Sequence, residues 1–313
     1  MNFFESERME FLDGVYTVLM TPFNEDETID YESYKKLIDL QINSHVTGVV
    51  VLGTTSESPT LSRDEQTDLV KYVYKRIKDK GSDKKIIIGV GGNNTQDTSK
   101  FAYYNQEYCD YVMITVPSYN KPSQDGIYEH FKTVCQIVID KPVILYNVPG
   151  RTGVNMLPET VAKIYENNAN VCAIKEASGS ISQIMDIISL CKIKVFAGDD
   201  GLTIPVASVG GTGVISVVSN IFPNEISNVY TYCVNNKYEE ARIEYSKLYD
   251  LVKMLFIESN PVPGKEMLCK LGIFQNSKVR LPLTNLKEEN KLKVLKVLLS
   301  KIGNIDNFLN NNL

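Results

Sequence analysis

Eight short runs of β-branched and aliphatic residues alternate along this chain with longer stretches of helical period, and that alternation limits the fold more than any other feature. The runs are VYTVLM from Val15, GVVVL from Gly48, IIIGV from Ile86, YVMITV from Tyr111, VILYNV from Val143, VCAIK from Val171, KVFAG from Lys194 and GVISVV from Gly213. Between the earlier runs, Tyr31 to Asn43, Ser62 to Lys80, Thr95 to Tyr108 and Ser123 to Ile139 repeat apolar residues at helical spacing. Such repeats generate parallel strands covered by helices, and eight of them favour an α/β fold closed as a (β/α)8 TIM barrel over an open sheet.

After Pro223 the strand pattern stops. Glu225 to Asn235, Tyr238 to Ile257, Pro263 to Leu271 and Lys287 to Lys301 read as helices, so a C-terminal helical appendage is expected. The expected organisation is a tail over 1–12, a barrel over 13–236, a helical domain over 237–302 and an asparagine-rich tail over 303–313. Its 313 residues suit this plan, since one barrel takes about 250. Local signals agree with the boundaries: Ser62 and Glu65 have capping-box spacing, and Pro158-Glu159 suits a first helical turn.

Lys and Arg total 33 against 38 Asp and Glu, a net charge of −5, which offers no positive field for nucleic acid or an anionic membrane. A small-molecule partner is expected instead. No apolar run reaches the ~20 residues of a bilayer span, and MNFFESERMEFL lacks a basic stretch leading into an apolar one. Six scattered cysteines without CxxC spacing match reduced thiols, so a cytoplasmic protein is expected. The two histidines, His45 and His130, are far apart, which argues against a histidine metal site or a Ser-His-Asp triad. No metal is assigned: Asp199 and Asp200 read as helix-capping acids. GGTG at 210–213 precedes a strand and so belongs to the face of a barrel that carries no chemistry. GVGGNN at 89–94 lacks the full dinucleotide fingerprint.

Barrels of this kind carry reactive groups at the C-terminal ends of their strands. Those positions here hold GTTSES (53–58), VPSYNKPSQDG (116–126), LYNVPGRTG (145–153), IKEASG (174–179) and GDDG (198–201). Lys175 ends the run VCAIK among apolar neighbours; desolvation disfavours an ammonium there and favours a neutral amine able to attack a ketone. A rim lysine paired with Glu176 is the competing reading of that residue. Tyr146 and Tyr119 with Thr54 and Thr55 offer hydroxyls that both donate and accept protons, although most of the 18 tyrosines must simply pack. The Thr54-Thr55 loop could hold a small carboxylate or merely cap a turn. Arg151 suits bidentate recognition of a second carboxylate, or is a solvated loop residue.

Taken together, VLMTPF (18–23), GTT (53–55), YNKPSQDG (119–126), LYNVPGRTG, IKEA, GDD, GVISV and ESNPVPGK (258–265) resemble the dihydrodipicolinate synthase and N-acetylneuraminate lyase superfamily, from Gly14 to about Leu283. The resemblance implies a homotetramer of (β/α)8 barrels, a dimer of dimers. In it Lys175 forms an imine with pyruvate, with no other cofactor, while Tyr146, Thr54 and Tyr119 relay protons, Tyr119 reaching in from a neighbouring subunit. It further implies that Thr55 binds the pyruvate carboxylate and that Gly198 and Ile215 line the pocket, the Ile215 carbonyl orienting the imine. Arg151 in GRTG, with NKPSQDG and NPVP, resembles the synthase branch, whose aldehyde partner is aspartate semialdehyde. Condensation to 4-hydroxy-tetrahydrodipicolinate is therefore the expected reaction. A lyase of a sugar acid, such as N-acetylneuraminate or a 2-keto-3-deoxy acid, and a non-catalytic binding barrel are the alternatives.

Two positions depart from the family pattern: Ser56 stands where the family reads GTTGE, and Ser118 where an aromatic is common. Members inhibited by lysine resemble a different pattern, with histidine near Arg63 or Gln66 and that aromatic present. Weak or no inhibition by lysine is expected here.

Overall fold

The computed structural model describes residues 12–303. The end segments expected over 1–12 and 303–313 lie outside the described residues apart from Leu12 and Gly303. Eight parallel strands follow one another in sequence order around a closed barrel: β1 (Gly14–Val18), β2 (Gly48–Val51), β3 (Lys85–Val90), β4 (Tyr111–Thr115), β5 (Val143–Asn147), β6 (Val171–Glu176), β7 (Lys194–Ala197) and β8 (Gly213–Ser216). Strands buried on both faces need side chains without charge, and β1, β2 and β5 are buried along their whole length. Lys175 and Glu176 of β6 are the exceptions in kind, since they are charged and buried alike.

Two compact units are distinguished. The first runs up to Gly14 and from Lys85 to Ile215. It contains β3 to β7 with α3 (Thr95–Asn105), α4 (Gln124–Ile137), the single turn α5 (Pro149–Thr152), α6 (Pro158–Asn167), α7 (Ile181–Leu190) and α8 (Thr203–Ser208). Three of its helices begin where a side chain satisfies free amides. Asn94 caps α3, Ser123 caps α4 and Ser180 caps α7. Asp199 accepts from the Gly201 amide at 2.8 Å, the capping role read from sequence.

The pairing of β5 with β6 contains one irregularity. Val143 pairs with Val171 but Ile144 pairs with Ala173, so Cys172 is an extra residue on β6. Such a bulge re-aims everything beyond it. Here it sets Tyr146 level with Lys175 and Asn147 level with Glu176.

The second unit runs from Val15 to Lys84 and from Ser216 onward. It contains α1 (Tyr31–Ile42), α2 (Arg63–Asp79), and, after β8, α9 (Pro223–Val234), α10 (Tyr238–Met254), α11 (Val262–Lys270) and α12 (Glu288–Ile302). The capping box of α2 is complete: Ser62 accepts from the Glu65 amide at 3.2 Å and donates its own amide to the Glu65 carboxylate at 2.8 Å. After β2 the chain closes a tight turn, Thr54–Ser56, flanked by Leu52 and Glu57 in left-handed conformation. Gly53 between them has no room for a side chain, because a Cβ there would lie 2.5 Å from Val18 Cγ1.

Candidate active site

Lys175 is only 5% exposed at the end of β6, and its Nζ lies 4.3 Å from the centre of the Tyr146 ring on β5. The bulge at Cys172 puts both side chains at one register position, and alternation along each strand then gives them a common face. The next pair, Asn147 and Glu176, takes the other face and is bonded directly: Asn147 Nδ2 donates to Glu176 Oε2 at 3.0 Å. Gln183 Nε2 donates to the same oxygen at 3.1 Å, and the Ser178 amide donates to Oε1 at 2.7 Å. All three of these groups donate to Glu176, so both of its buried oxygens are hydrogen-bonded. Asn155 closes the cluster, accepting from Asn147 at 2.7 Å and donating to Gln183 at 2.7 Å. The ends of β5 and β6 and the start of α7 are thereby fastened together immediately behind Lys175.

Gly198 follows β7 and approaches this strand end closely, its amide donating to the Glu176 carbonyl at 2.9 Å. A Cβ at Gly198 would lie 2.5 Å from Ala177 Cβ, so only glycine fits. Ile215 is buried on β8. Arg151 lies in α5, exposed and without an ion pair among the described residues. Tyr119 follows β4 in left-handed conformation and is 89% exposed; its amide donates to the Thr152 carbonyl at 3.0 Å, in the same turn as Arg151. Ser118 faces Asn93, whose Oδ1 accepts from the Ser118 amide at 3.1 Å.

In the second unit Thr54 is half-buried and Thr55 buried, at the end of β2. Ser56 is fully buried and donates its hydroxyl to the Leu19 carbonyl at 2.6 Å, while its own carbonyl accepts from Thr21 Oγ1 at 2.8 Å. The added hydroxyl is thus turned toward the chain following β1. Asn260 Nδ2 donates to Thr55 Oγ1 at 2.9 Å across 205 residues of sequence. Glu57 is ion-paired with Lys265 of α11, and both side chains are essentially without solvent contact. Burial pulls the Lys265 ammonium down to about 8, with the Glu57 carboxylate acting in the opposite direction. Its Nζ also donates to the Lys278 carbonyl at 2.8 Å and stands 4.1 Å from the centre of the Phe23 ring. The Arg280 amide donates to Glu57 Oε2 at 3.0 Å, and the Arg280 side chain grips Glu65 and the Glu27 and Thr60 carbonyls.

A model of the dihydrodipicolinate synthetase family matches residues 11–301. The chain belongs to that family. Among its relatives, 4-hydroxy-tetrahydrodipicolinate synthase of Endomicrobium trichonymphae is 44% identical over 288 residues, which cover 91% of this chain and 97% of the relative. The crystal structure of dihydrodipicolinate synthase from Aquifex aeolicus superposes with a TM-score of 0.89 at 37% identity, covering 93% of this chain and 98% of that one. The family enzyme from Cyanidioschyzon merolae, solved with lysine bound, gives a TM-score of 0.89 at 34% identity, with 93% and 98% covered. The barrel and the C-terminal helices are therefore those of the dihydrodipicolinate synthetase family.

Glu57, Lys265, Asn147 and Asn260 are not singled out by the sequence alone. Glu57 and Lys265 stand inside conspicuous motifs, GTTSE and NPVPGK, and a charged residue within each motif was the available signal. Their pairing is not encoded in any local pattern. Among the described residues no group of three or more His, Cys, Asp or Glu side chains could hold a metal ion, and no helix is long and apolar enough to cross a membrane.

Proposed function

We propose that this protein is a lyase of the class I aldolase type, condensing pyruvate with L-aspartate 4-semialdehyde to 4-hydroxy-tetrahydrodipicolinate, a step of lysine biosynthesis. The observation that carries the reading is the buried Lys175 amine beside the Tyr146 ring, in a chain of this family. Lys175 Nζ attacks the pyruvate carbonyl carbon, and the carbinolamine loses water to give an imine. Loss of a methyl proton then makes an enamine whose carbon forms the new bond to the aldehyde. Attack by the aspartyl amine on the imine carbon closes the ring and frees Lys175, so no external cofactor is needed.

In this reading Tyr146, Thr54 and Tyr119 carry protons to and from the carbinolamine oxygen, a task that suits groups able to donate and accept. Thr55 holds the pyruvate carboxylate, Gly198 and Ile215 line the pocket, and the Ile215 carbonyl orients the imine. Arg151, exposed and free of an ion pair among the described residues, takes the aldehyde's carboxylate. A homotetramer in the cytoplasm completes the proposal. The 89% exposure of Tyr119 supports a role across a subunit boundary.

Incubation with pyruvate and borohydride, followed by peptide mass mapping, tests the mechanism. A reduced pyruvyl adduct on the peptide holding Lys175 is expected. No adduct, or an adduct confined to another lysine, refutes it.

A further inference from the structure

We propose that Asn260 is a positioning residue for the 2-oxo acid: its amide fixes the Thr55 hydroxyl so that the Thr55 proton points at the substrate carboxylate. The proposal rests on the reading in which Thr55 binds pyruvate.

A threonine hydroxyl has one proton and two lone pairs. Asn260 Nδ2 donates to Thr55 Oγ1 at 2.9 Å, so one lone pair is taken and the hydroxyl proton cannot lie along that line. Among the described residues no acceptor receives the Thr55 proton, which leaves a buried, oriented donor in a loop at a strand end. The other end of the amide is also telling: Asn260 Oδ1 is buried with no hydrogen-bond partner among the described residues. Buried polar atoms without a partner are uncommon, and here the nitrogen of the same amide is committed to Thr55.

Both partners sit on fixed backbone. On the Asn260 side, the Val262 amide donates to the Ser259 carbonyl at 2.9 Å and the Lys265 amide to the Pro261 carbonyl at 3.0 Å. On the Thr55 side, Ser56 is anchored to Leu19, and Glu57 is held in its left-handed conformation by Lys265 and the Arg280 amide. With the backbone fixed twice over, the rotation of one hydroxyl is what remains for Asn260 to set. A preset donor meets a carboxylate without reorganising, and hydrogen bonds to charged groups are the stronger kind.

The test measures the pyruvate concentration giving half-maximal borohydride trapping, together with kcat at saturating pyruvate. Asn260→Ala is expected to raise half-saturation about tenfold while kcat changes by less than about threefold. Asn260→Asp, nearly the same shape but with only acceptors at neutral pH, should raise it at least as much. Thr55→Val should raise it too, and adding Asn260→Ala to Thr55→Val should cost nothing more, because Asn260 acts only through that hydroxyl. Half-saturation unchanged in Asn260→Asp, or additive losses in the double variant, overturns the proposal. So does failure of both Asn260 variants to fold, since the contact is then a structural one. If the wild-type protein itself forms no adduct, the underlying reading has failed; if it forms the adduct and Asn260 variants saturate normally, only this inference has.

Discussion

Lys175 and Tyr146 occupy one register position of neighbouring strands, with the lysine nitrogen 4.3 Å from the centre of the phenol ring. One inserted residue, Cys172, creates that relationship: continuing the Val143–Val171 pairing without it would set Asn147, not Tyr146, level with Lys175. The bonded pair Asn147 and Glu176 then keeps the strand ends from slipping. In the proposed mechanism Tyr146→Phe keeps the ring and removes the proton carrier. Trapped pyruvyl adduct should form on the order of 10²-fold more slowly in rapid-quench experiments, and Lys175→Ala should form none. A Tyr146→Phe enzyme that forms adduct at the wild-type rate excludes the phenol as a relay.

Arg151 is exposed in the short α5 turn and forms no ion pair among the described residues, so its charge is available to a ligand. Arg151→Leu should lower kcat/KM for aspartate semialdehyde by roughly 10² to 10³, the loss of charge-assisted contacts to one carboxylate, while pyruvate trapping stays within about twofold. Steady-state kinetics with both substrates varied decides between this and an arginine that is only solvated.

The Glu57–Lys265 pair is buried on both sides, so removing one member strands the other. Glu57→Gln should cost about 3–5 kcal/mol in urea unfolding, whereas Glu57→Gln with Lys265→Met should recover part of that loss. If the double variant is as unstable as the sum of the singles, the two charges are not coupled.

His130 is buried against α3, with Nδ1 2.9 Å from Thr95 Oγ1, and burial pulls its imidazole down to about 4 from an ordinary 6.5. The unfolded chain therefore takes up this proton first as pH falls. Stability tied to His130 is complete above pH 6.5, declines between 6.5 and about 4, and is lost below. The shift corresponds to roughly 3 kcal/mol. A His130→Gln variant should show a flatter dependence of unfolding free energy over that interval, and an unchanged slope rules out this origin for acid lability.

Lysine is expected to inhibit weakly or not at all. The family pattern tied to inhibition has histidine near Arg63 or Gln66 and an aromatic at Ser118; here Arg63 Nη1 donates to Gln66 Oε1 at 2.7 Å, and Ser118 is bound to Asn93. Activity measured across a lysine titration should stay near its starting value, and strong inhibition at low concentration contradicts the expectation.

Much of the scaffold was legible because its signals are local. The eight strand runs, the Ser62–Glu65 box and the Asp199 cap each lie within a few residues, and each forms as read. Its place at the end of an apolar run left Lys175 either buried or at the rim, and the structure buries it. The bulge at Cys172 left no such trace, because VCAIK reads as an unbroken strand. Asn260 was visible only as part of a motif, with nothing to indicate that its partner is Thr55.

By itself, then, the sequence determined the order and type of the elements and which strand ends carry reactive groups, since periodicity and capping act over one or two turns of chain. Tertiary structure alone decided that the lysine stands beside Tyr146 rather than Asn147, and that Asn260 and Lys265 serve the loop after β2. Those choices depend on strand register and on contacts across some two hundred residues, and such contacts are fixed by how buried groups find partners, not by the spacing of residues along the chain.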